Sequence, residues 1–279
     1  MPEGHSIHRL ARRHRRLLVG RHVRASSPQG RFAEGAALID GARVVGTEAW
    51  GKHLFHFYAD HVDGDPLVLH IHLGLFGRFR EGGGAPDAPR GALRLRLVTE
   101  ESEDDRGWLD LSGPTACELI TTPERDTLLS RLGPDPLRQG TDPEAWLPRM
   151  TRSRAPVGTL LLNQSVVAGI GNVYRAELLF RHGIDPHMPG REVDPAVLDA
   201  AWVDLVELMG AGARSGRIIT TSPEHRERPA GRVRRADSHY VYGRAGLGCR
   251  VCGTVVLDGQ LAARRIFWCP TCQPAGGGR

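Results

Sequence analysis

Apolar positions Ile7, Leu10, Ala11, Leu17 and Leu18 recur at helical spacing, and Arg9, Arg12, Arg13, Arg15 and Arg16 fill the gaps between them. The pattern predicts a basic amphipathic helix over residues 6–20, ending at a glycine. The period then shortens. Residues 23–26, 42–50, 53–58, 67–73, 93–99 and 108–111 are short apolar or alternating runs bounded by Gly, Pro and Asp clusters. Six or more strands at this spacing predict a β-sandwich or barrel. Leu93-Arg94-Leu95-Arg96-Leu97 alternates strictly, as a strand with one buried face does. The Gly/Pro-rich stretch 81–90 carries no predicted element.

Past about Ile120 the period becomes helical. Thr122-Pro123 and Asp142-Pro143 read as N-caps followed by proline at the first helical position, and Arg131-Leu132-Gly133-Pro134-Asp135-Pro136 reads as the connection between domains. Helices are expected over 156–164 and 173–182, joined by the tight turn Ala168-Gly169-Ile170-Gly171-Asn172, and over 195–209. A helical hairpin of this kind offers turn amides and a helix N-terminus to a phosphate, although most such hairpins bind nothing. Residues 211–238 are rich in Arg, Gly, Pro and Ser, which predicts a mobile loop or a solvated linker.

Composition narrows the function classes. The 279 residues allow two or three domains, and no apolar run approaches the ~20 residues that span a bilayer. With no secretory signal either, the expected location is cytoplasmic, associated with the nucleoid. A net charge of +5 and a pI of about 9.2 permit a polyanionic partner without demanding one. Among 37 Lys plus Arg, Lys52 is the single lysine, set in the probable hairpin turn Trp50-Gly51-Lys52-His53. An ammonium can shed its proton where a guanidinium cannot, so a solitary lysine hints at chemistry, though a leftover lysine fits as well.

Two stretches carry candidate chemistry. Removal of Met1 ahead of Pro2-Glu3-Gly4 leaves a secondary amine able to attack a sugar C1′, with the positive end of the following helix favouring its neutral form. Glu3 is placed to move a proton. At the other end, Cys249-x2-Cys252 and Cys269-x2-Cys272 have the number and spacing of a closed structural four-thiolate site, with zinc favoured over iron. A hairpin between the cysteine pairs puts Arg264 and Arg265 near its tip, where a guanidinium could meet a phosphate. Cys117 stands alone, as a buried apolar residue does. His72-Leu73-Gly74-Leu75-Phe76-Gly77 carries two exposed-looking apolar residues, read as packing or as a wedge for a base stack.

In family order along almost the whole chain, Pro2-Glu3-Gly4, Gly51-Lys52-His53-Leu54, the 72–77 turn, Arg131 to Pro136, Leu162-Asn163-Gln164 with Gly169-Ile170-Gly171-Asn172, Val241-Tyr242-Gly243-Arg244 and the cysteine finger resemble the bacterial formamidopyrimidine-DNA glycosylase and endonuclease VIII family of DNA repair enzymes. The resemblance implies an α+β molecule of two lobes. An N-terminal helix and β-sandwich would occupy residues 1–125, a helix-two-turn-helix DNA-binding domain 126–238, and a zinc finger 239–279. It implies a monomer that binds damaged DNA, holds one structural zinc and has no membrane attachment. Pro2 would be the Schiff-base nucleophile, Glu3 the proton donor, Lys52 an aid to β-elimination, and Arg264 an aid to δ-elimination. Arg131 and Asn172 would hold phosphates, and Leu75 would fill the gap left by an extruded base. Four departures stand out: Ser6 replaces a common glutamate, Leu75 replaces the Met common in the formamidopyrimidine branch, Gly74 replaces the glutamine of some endonuclease VIII members, and no Arg-x-Phe wedge is found between Trp108 and Cys117. The Pro2-Glu3-Gly4 start and the missing Arg-x-Phe favour an endonuclease VIII-like glycosylase and abasic-site lyase acting on oxidised pyrimidines. The alternatives are a catalytically silent damaged-DNA binder and a zinc-ribbon protein working on RNA or in transcription.

Overall fold

The computed structural model describes residues 2–59, 66–102 and 105–276. The chain forms two compact units that divide between Arg131 and Leu132. In the first, helix α1 (Gly4–Leu18) leads to β1 (Val23–Ser26), α2 (Ala33–Ile39), β2 (Val44–Trp50), β3 (His53–Tyr58), β4 (Leu67–His72), β5 (Arg78–Gly83), β6 (Leu93–Thr99), β7 (Gly107–Ser112), β8 (Ala116–Ile120) and α3 (Thr122–Ser130). The strands build two antiparallel four-stranded sheets, ordered β1-β6-β7-β5 and β2-β3-β4-β8. This is the expected sandwich. Its core interleaves Leu95, Leu97, Leu109 and Leu111 from one sheet with Leu54, Leu69 and Ile71 from the other, and Ile7 and Leu18 of α1 close one side.

Several elements differ from the sequence expectation. Strand β5 occupies part of the stretch expected to lack structure. Its Arg-Phe-Arg-Glu-Gly-Gly sequence is mostly solvated because it is the edge of its sheet, so it has little apolar signal to read. Strand β8 and helix α2 were likewise not anticipated. Arg96 is buried despite its place in the alternating run, because Asp110, its cross-strand partner on β7, takes its guanidinium through two hydrogen bonds of 2.7 Å. The cap of α3 is Thr121 rather than Thr122, closing a capping box with Glu124.

Three anchors fix α1 on the second sheet. The Gly20 amide donates to the Val44 carbonyl at 2.8 Å, Thr47 Oγ1 donates to the Ala11 carbonyl at 2.7 Å, and His14 Nδ1 meets His56 Nε2 at 2.9 Å. The helix therefore runs antiparallel to β2. The seven residues before Ala11 cover about 10 Å of helix, and the three residues after Thr47 cover about 10 Å of strand. The N-terminus of α1 thus lies at the level of the turn that carries Lys52.

The sandwich keeps buried histidines uncharged. Burial lowers the pKa of His14 and of His56, and pushes His5 down to about 4 and His53 to about 3. Because the folded values lie below the ordinary value of about 6.5, the unfolded chain binds protons first as pH falls. Stability is full above pH ~6.5 and declines below it, with His5 alone costing about 3 kcal/mol by pH 4. The denaturant midpoint of the N-terminal unit is expected to drop already between pH 6.5 and 5, before most carboxylates titrate. A midpoint that stays flat across that window would contradict buried neutral histidines.

The second unit contains α4 (Leu147–Thr151), α5 (Val157–Leu160), α6 (Asn172–Arg181), α7 (Pro195–Ser215) and the hairpin β9 (Leu257–Leu261) and β10 (Arg264–Trp268). Asp142 caps the 3₁₀ turn at Pro143, as expected. The expected helix at 156–164 is a single turn, α5, followed by an irregular segment in which Gln164 braces the chain by donating to the carbonyls of Leu162 and Ile170. Residues 211–215 continue α7, which ends at Gly216 in the left-handed conformation (φ 76°). Of the expected mobile loop or solvated linker beyond it, the two ends are bonded in place, while residues 227–236 are largely exposed. Thr220 N–H donates to the Ser238 carbonyl, Thr221 Oγ1 to the Asp237 carbonyl, and Arg217 Nη2 to the Val233 carbonyl. Polar side chains here supply the order that an apolar core supplies elsewhere. No helix among the described residues is long and apolar enough to cross a membrane.

Candidate active site and metal centre

Glu3 is the N-cap of α1, with extended backbone, and is completely buried. Pro2 precedes it directly and is half-buried; the state of Met1 lies outside the described residues. Ser6, in place of a glutamate, donates its hydroxyl to the Glu3 carbonyl at 2.8 Å, which reinforces the cap. Lys52 occupies the β2–β3 turn at the same end of the sandwich. Its positive charge reaches His53 and His72, adding to the burial and neighbouring-histidine effects that lower both.

A polar cluster that sequence reasoning missed lies beside it. His53 and His72 are cross-strand partners, His70 shares their face two residues along β4, and Glu118 on β8 is opposite His70. His53 Nδ1 lies 2.9 Å from His70 Nε2, and His70 Nδ1 lies 2.9 Å from Glu118 Oε1. The signal was available, since His70-x-His72 has the period of one strand face. Farther along this face, Arg125 of α3 pairs with Glu48 of β2 and lies 5.6 Å from the ring centres of both Phe55 and Phe57.

The 73–77 turn projects from the end of β4. Leu75 is 62% exposed and its neighbour Phe76 81%, so both are free of the core, and Phe76 belongs with the candidate wedge. Gly74 has φ 64°, and a Cβ there would sit 1.9 Å from Thr115 Oγ1, so glutamine does not fit. The β7–β8 link is only Gly113-Pro114-Thr115, and Gly113 packs against the Phe76 backbone. That link is too short to supply a second wedge.

Arg131 is the C-cap of α3 and is exposed. In the second unit Gly133 N–H donates to the Gln164 carbonyl and Ala168 N–H to the Pro134 carbonyl, which ties the Leu132-to-Pro136 motif to the turn ahead of α6. Asn172, the first residue of α6, donates its amide to the Arg265 carbonyl at 2.7 Å and accepts from Arg175 at 2.5 Å. Buried Arg175 also donates to the Leu261 and Arg265 carbonyls, so α6 grips the finger hairpin on both sides of its tip. Arg175 was not anticipated, although its place one helical turn after Asn172 is legible. At the tip, Ala262 and Ala263 take positive φ (52° and 56°), conformations that cost L-residues energy. Arg264 follows them, exposed.

The sulfur atoms of Cys249, Cys252, Cys269 and Cys272 lie within 4.8 Å of one another, with Cys249–Cys272 at 3.8 Å and Cys252–Cys269 at 3.5 Å. A tetrahedral thiolate site with metal–sulfur bonds of about 2.3 Å has sulfur–sulfur edges of about 3.8 Å. The cluster therefore fits a four-coordinate metal ion. Chelation is expected to loosen residues 239–276 and weaken DNA binding while leaving the unfolding of the N-terminal unit unchanged. Unaltered DNA affinity after proven metal loss would reject a role for the finger.

The chain matches the model of the formamidopyrimidine-DNA glycosylase N-terminal domain over residues 1–111 and that of the H2TH domain over 132–224. It is 49% identical to Endonuclease 8 1 of Mycobacterium tuberculosis over 98% of this chain and all of that one. The chain belongs to the formamidopyrimidine-DNA glycosylase and endonuclease VIII family. Members of this family are DNA glycosylases with abasic-site lyase activity. Another member, the formamidopyrimidine-DNA glycosylase of Thermus thermophilus, is 31% identical over 99% of this chain and all of its own length. The solved structure of the Thermus thermophilus protein superposes with a TM-score of 0.76, over 99% of this chain and all of that one. The Lactococcus lactis enzyme in complex with abasic-site DNA gives 0.79 at 22% identity, covering 98% and 99% of the two chains. The two-lobed family fold, with sandwich, H2TH lobe and cysteine finger, is thus the fold of this chain.

Proposed function

We propose that this chain is a bifunctional DNA glycosylase and abasic-site lyase of base excision repair, with oxidised pyrimidines as its main substrates. The observation that carries the reading is the placement of Glu3, buried as the cap of α1 and preceded by Pro2, at the same end of the sandwich as Lys52. After loss of Met1, the Pro2 nitrogen attacks C1′ of the damaged nucleotide. Glu3 donates a proton as the bond from C1′ to the base breaks, and opening of the sugar ring at C1′–O4′, with O4′ taking the proton that the Pro2 nitrogen gives up, leaves an iminium. The iminium acidifies the C2′ hydrogen. Its removal, aided by Lys52, lets the C3′–O bond break, with the 3′ phosphate as leaving group. Arg264 then assists loss of the 5′ phosphate where δ-elimination follows.

Extruding the base costs roughly a few kcal/mol, least for a lesion already poorly paired. Leu75 and Phe76 fill the gap, while Arg131 and Asn172 hold backbone phosphates. The four thiolates hold zinc, which when bound supplies a cross-link for the finger and leaves no open position for water. The protein works as a monomer in the cytoplasm, at the nucleoid. Both the single-loop wedge and the Endonuclease 8 1 relative favour pyrimidine lesions. An intact Pro2, Glu3 and Lys52 disfavour a silent DNA-binding protein.

The test is borohydride reduction during incubation with duplexes carrying oxidised pyrimidines, oxidised purines or an abasic site. Covalent trapping is expected on the abasic and pyrimidine duplexes, reduced strongly by Pro2→Gly. Trapping that persists at full yield in that variant would move the nucleophile elsewhere.

A further inference from the structure

We propose that Glu118, His70 and His53 form a hydrogen-bonded positioning relay that orients Lys52 for strand scission. The proposal rests on the lyase reading above. An ionised carboxylate can only accept, so Glu118 requires a hydrogen on His70 Nδ1, 2.9 Å away. A neutral imidazole has one N–H. His70 Nε2 is therefore a lone pair and must accept from His53 Nδ1–H, again at 2.9 Å. His53 Nε2 is left as an acceptor on the residue next to Lys52, where it can take a hydrogen bond from the ammonium. One carboxylate thus fixes two tautomers in series and the polarity of the last nitrogen.

The surroundings hold the ring in place. His53 stacks on His70 with ring centres 5.1 Å apart, and His72, its cross-strand partner, is also at 5.1 Å. Phe55 also stacks on His70, at 5.2 Å. The charged or titratable groups facing His53 are Lys52 on its own turn, His70 and His72 from β4, and Glu118 from β8 acting through His70. Arg125 and Glu48 pair with each other over Phe55. Burial first, then the neighbouring histidines and Lys52, hold His53 down to about 3, so it stays neutral while Lys52 works.

Glu118→Gln is the sharpest probe, because a side-chain amide can donate to His70 Nδ1 and invert both tautomers. Its side chain is 56% exposed, so the fold tolerates the change. In Glu118→Ala, water can take the place of the carboxylate. The experiment measures scission of an abasic-site duplex, divided by borohydride trapping on the same duplex, from about pH 5.5 to 9, a window that spans the ordinary histidine range. Glu118→Gln is expected to lower that ratio about tenfold and to move the acid limb of the profile, with Glu118→Ala less affected. His53→Gln should lose scission by a similar factor at an unchanged melting temperature. A merely structural role would make alanine worse than glutamine and leave the profile where it was, and that ordering overturns the relay. Wild-type protein that neither cleaves nor traps would sink the lyase reading, and the relay with it; wild-type activity with an unaltered Glu118→Gln profile sinks the relay alone.

Discussion

Replacing Glu3 by Gln is expected to slow removal of an oxidised pyrimidine by about 10²- to 10⁴-fold, the usual range for a positioned general acid, while an abasic site made beforehand is still trapped and cut. The separation follows from what each step demands. Base loss needs a proton delivered to the departing group or sugar, whereas condensation of the Pro2 amine with an open-chain aldehyde expels only water, whose protons the amine itself and solvent supply. Complete burial of Glu3 excludes bulk water as a substitute acid. The amide keeps the size of the carboxyl and leaves the backbone cap intact, because Ser6 bonds the Glu3 carbonyl rather than its side chain. The measurement is single-turnover excision on the lesion duplex beside scission on the abasic duplex. Equal losses on both would mean that Glu3 serves the architecture of the N-terminus rather than proton transfer.

The parts of this site legible in the sequence were those whose chemistry depends on residue type at a fixed spacing. Four cysteines in two pairs, a lone lysine in a hairpin turn, and Pro-Glu ahead of an amphipathic helix each announce themselves. The illegible parts depend on strand pairing. His53, His70 and Glu118 are separated by 17 and 48 positions and meet only because β3, β4 and β8 are neighbours in register. Strand β5 was hidden for a related reason, since an edge strand can be polar on both faces. The two ends of the 216–238 segment are held by side chain to backbone hydrogen bonds, which leave no periodicity to read. Gly74 reads as a lost glutamine until Thr115 is seen to occupy the space of its Cβ.

Glu177→Ala is expected to destabilise residues 132–276 by about 3 kcal/mol or more. Glu177 lies inside α6 and is fully buried. Its carboxylate accepts from the backbone amides of Tyr240, Val241 and Tyr242 at 2.7 to 2.8 Å and from the Thr220 hydroxyl. These are the residues at which the chain enters the finger. Alanine leaves three backbone N–H groups without acceptors, each costing about 1–3 kcal/mol when buried, offset in part by no longer burying a charge. Glutamine should fall between, because its single oxygen accepts on one side while its NH₂ faces the remaining donors. Since the same segment runs from the H2TH lobe into the metal cluster, the loss should also appear as weaker metal retention under chelator challenge. The two readouts are calorimetric unfolding, in which the transition of the N-terminal unit should hold its temperature, and the rate of metal release. A change below about 1 kcal/mol would mean that the finger is held by Arg175 and its own metal, with the carboxylate nest incidental.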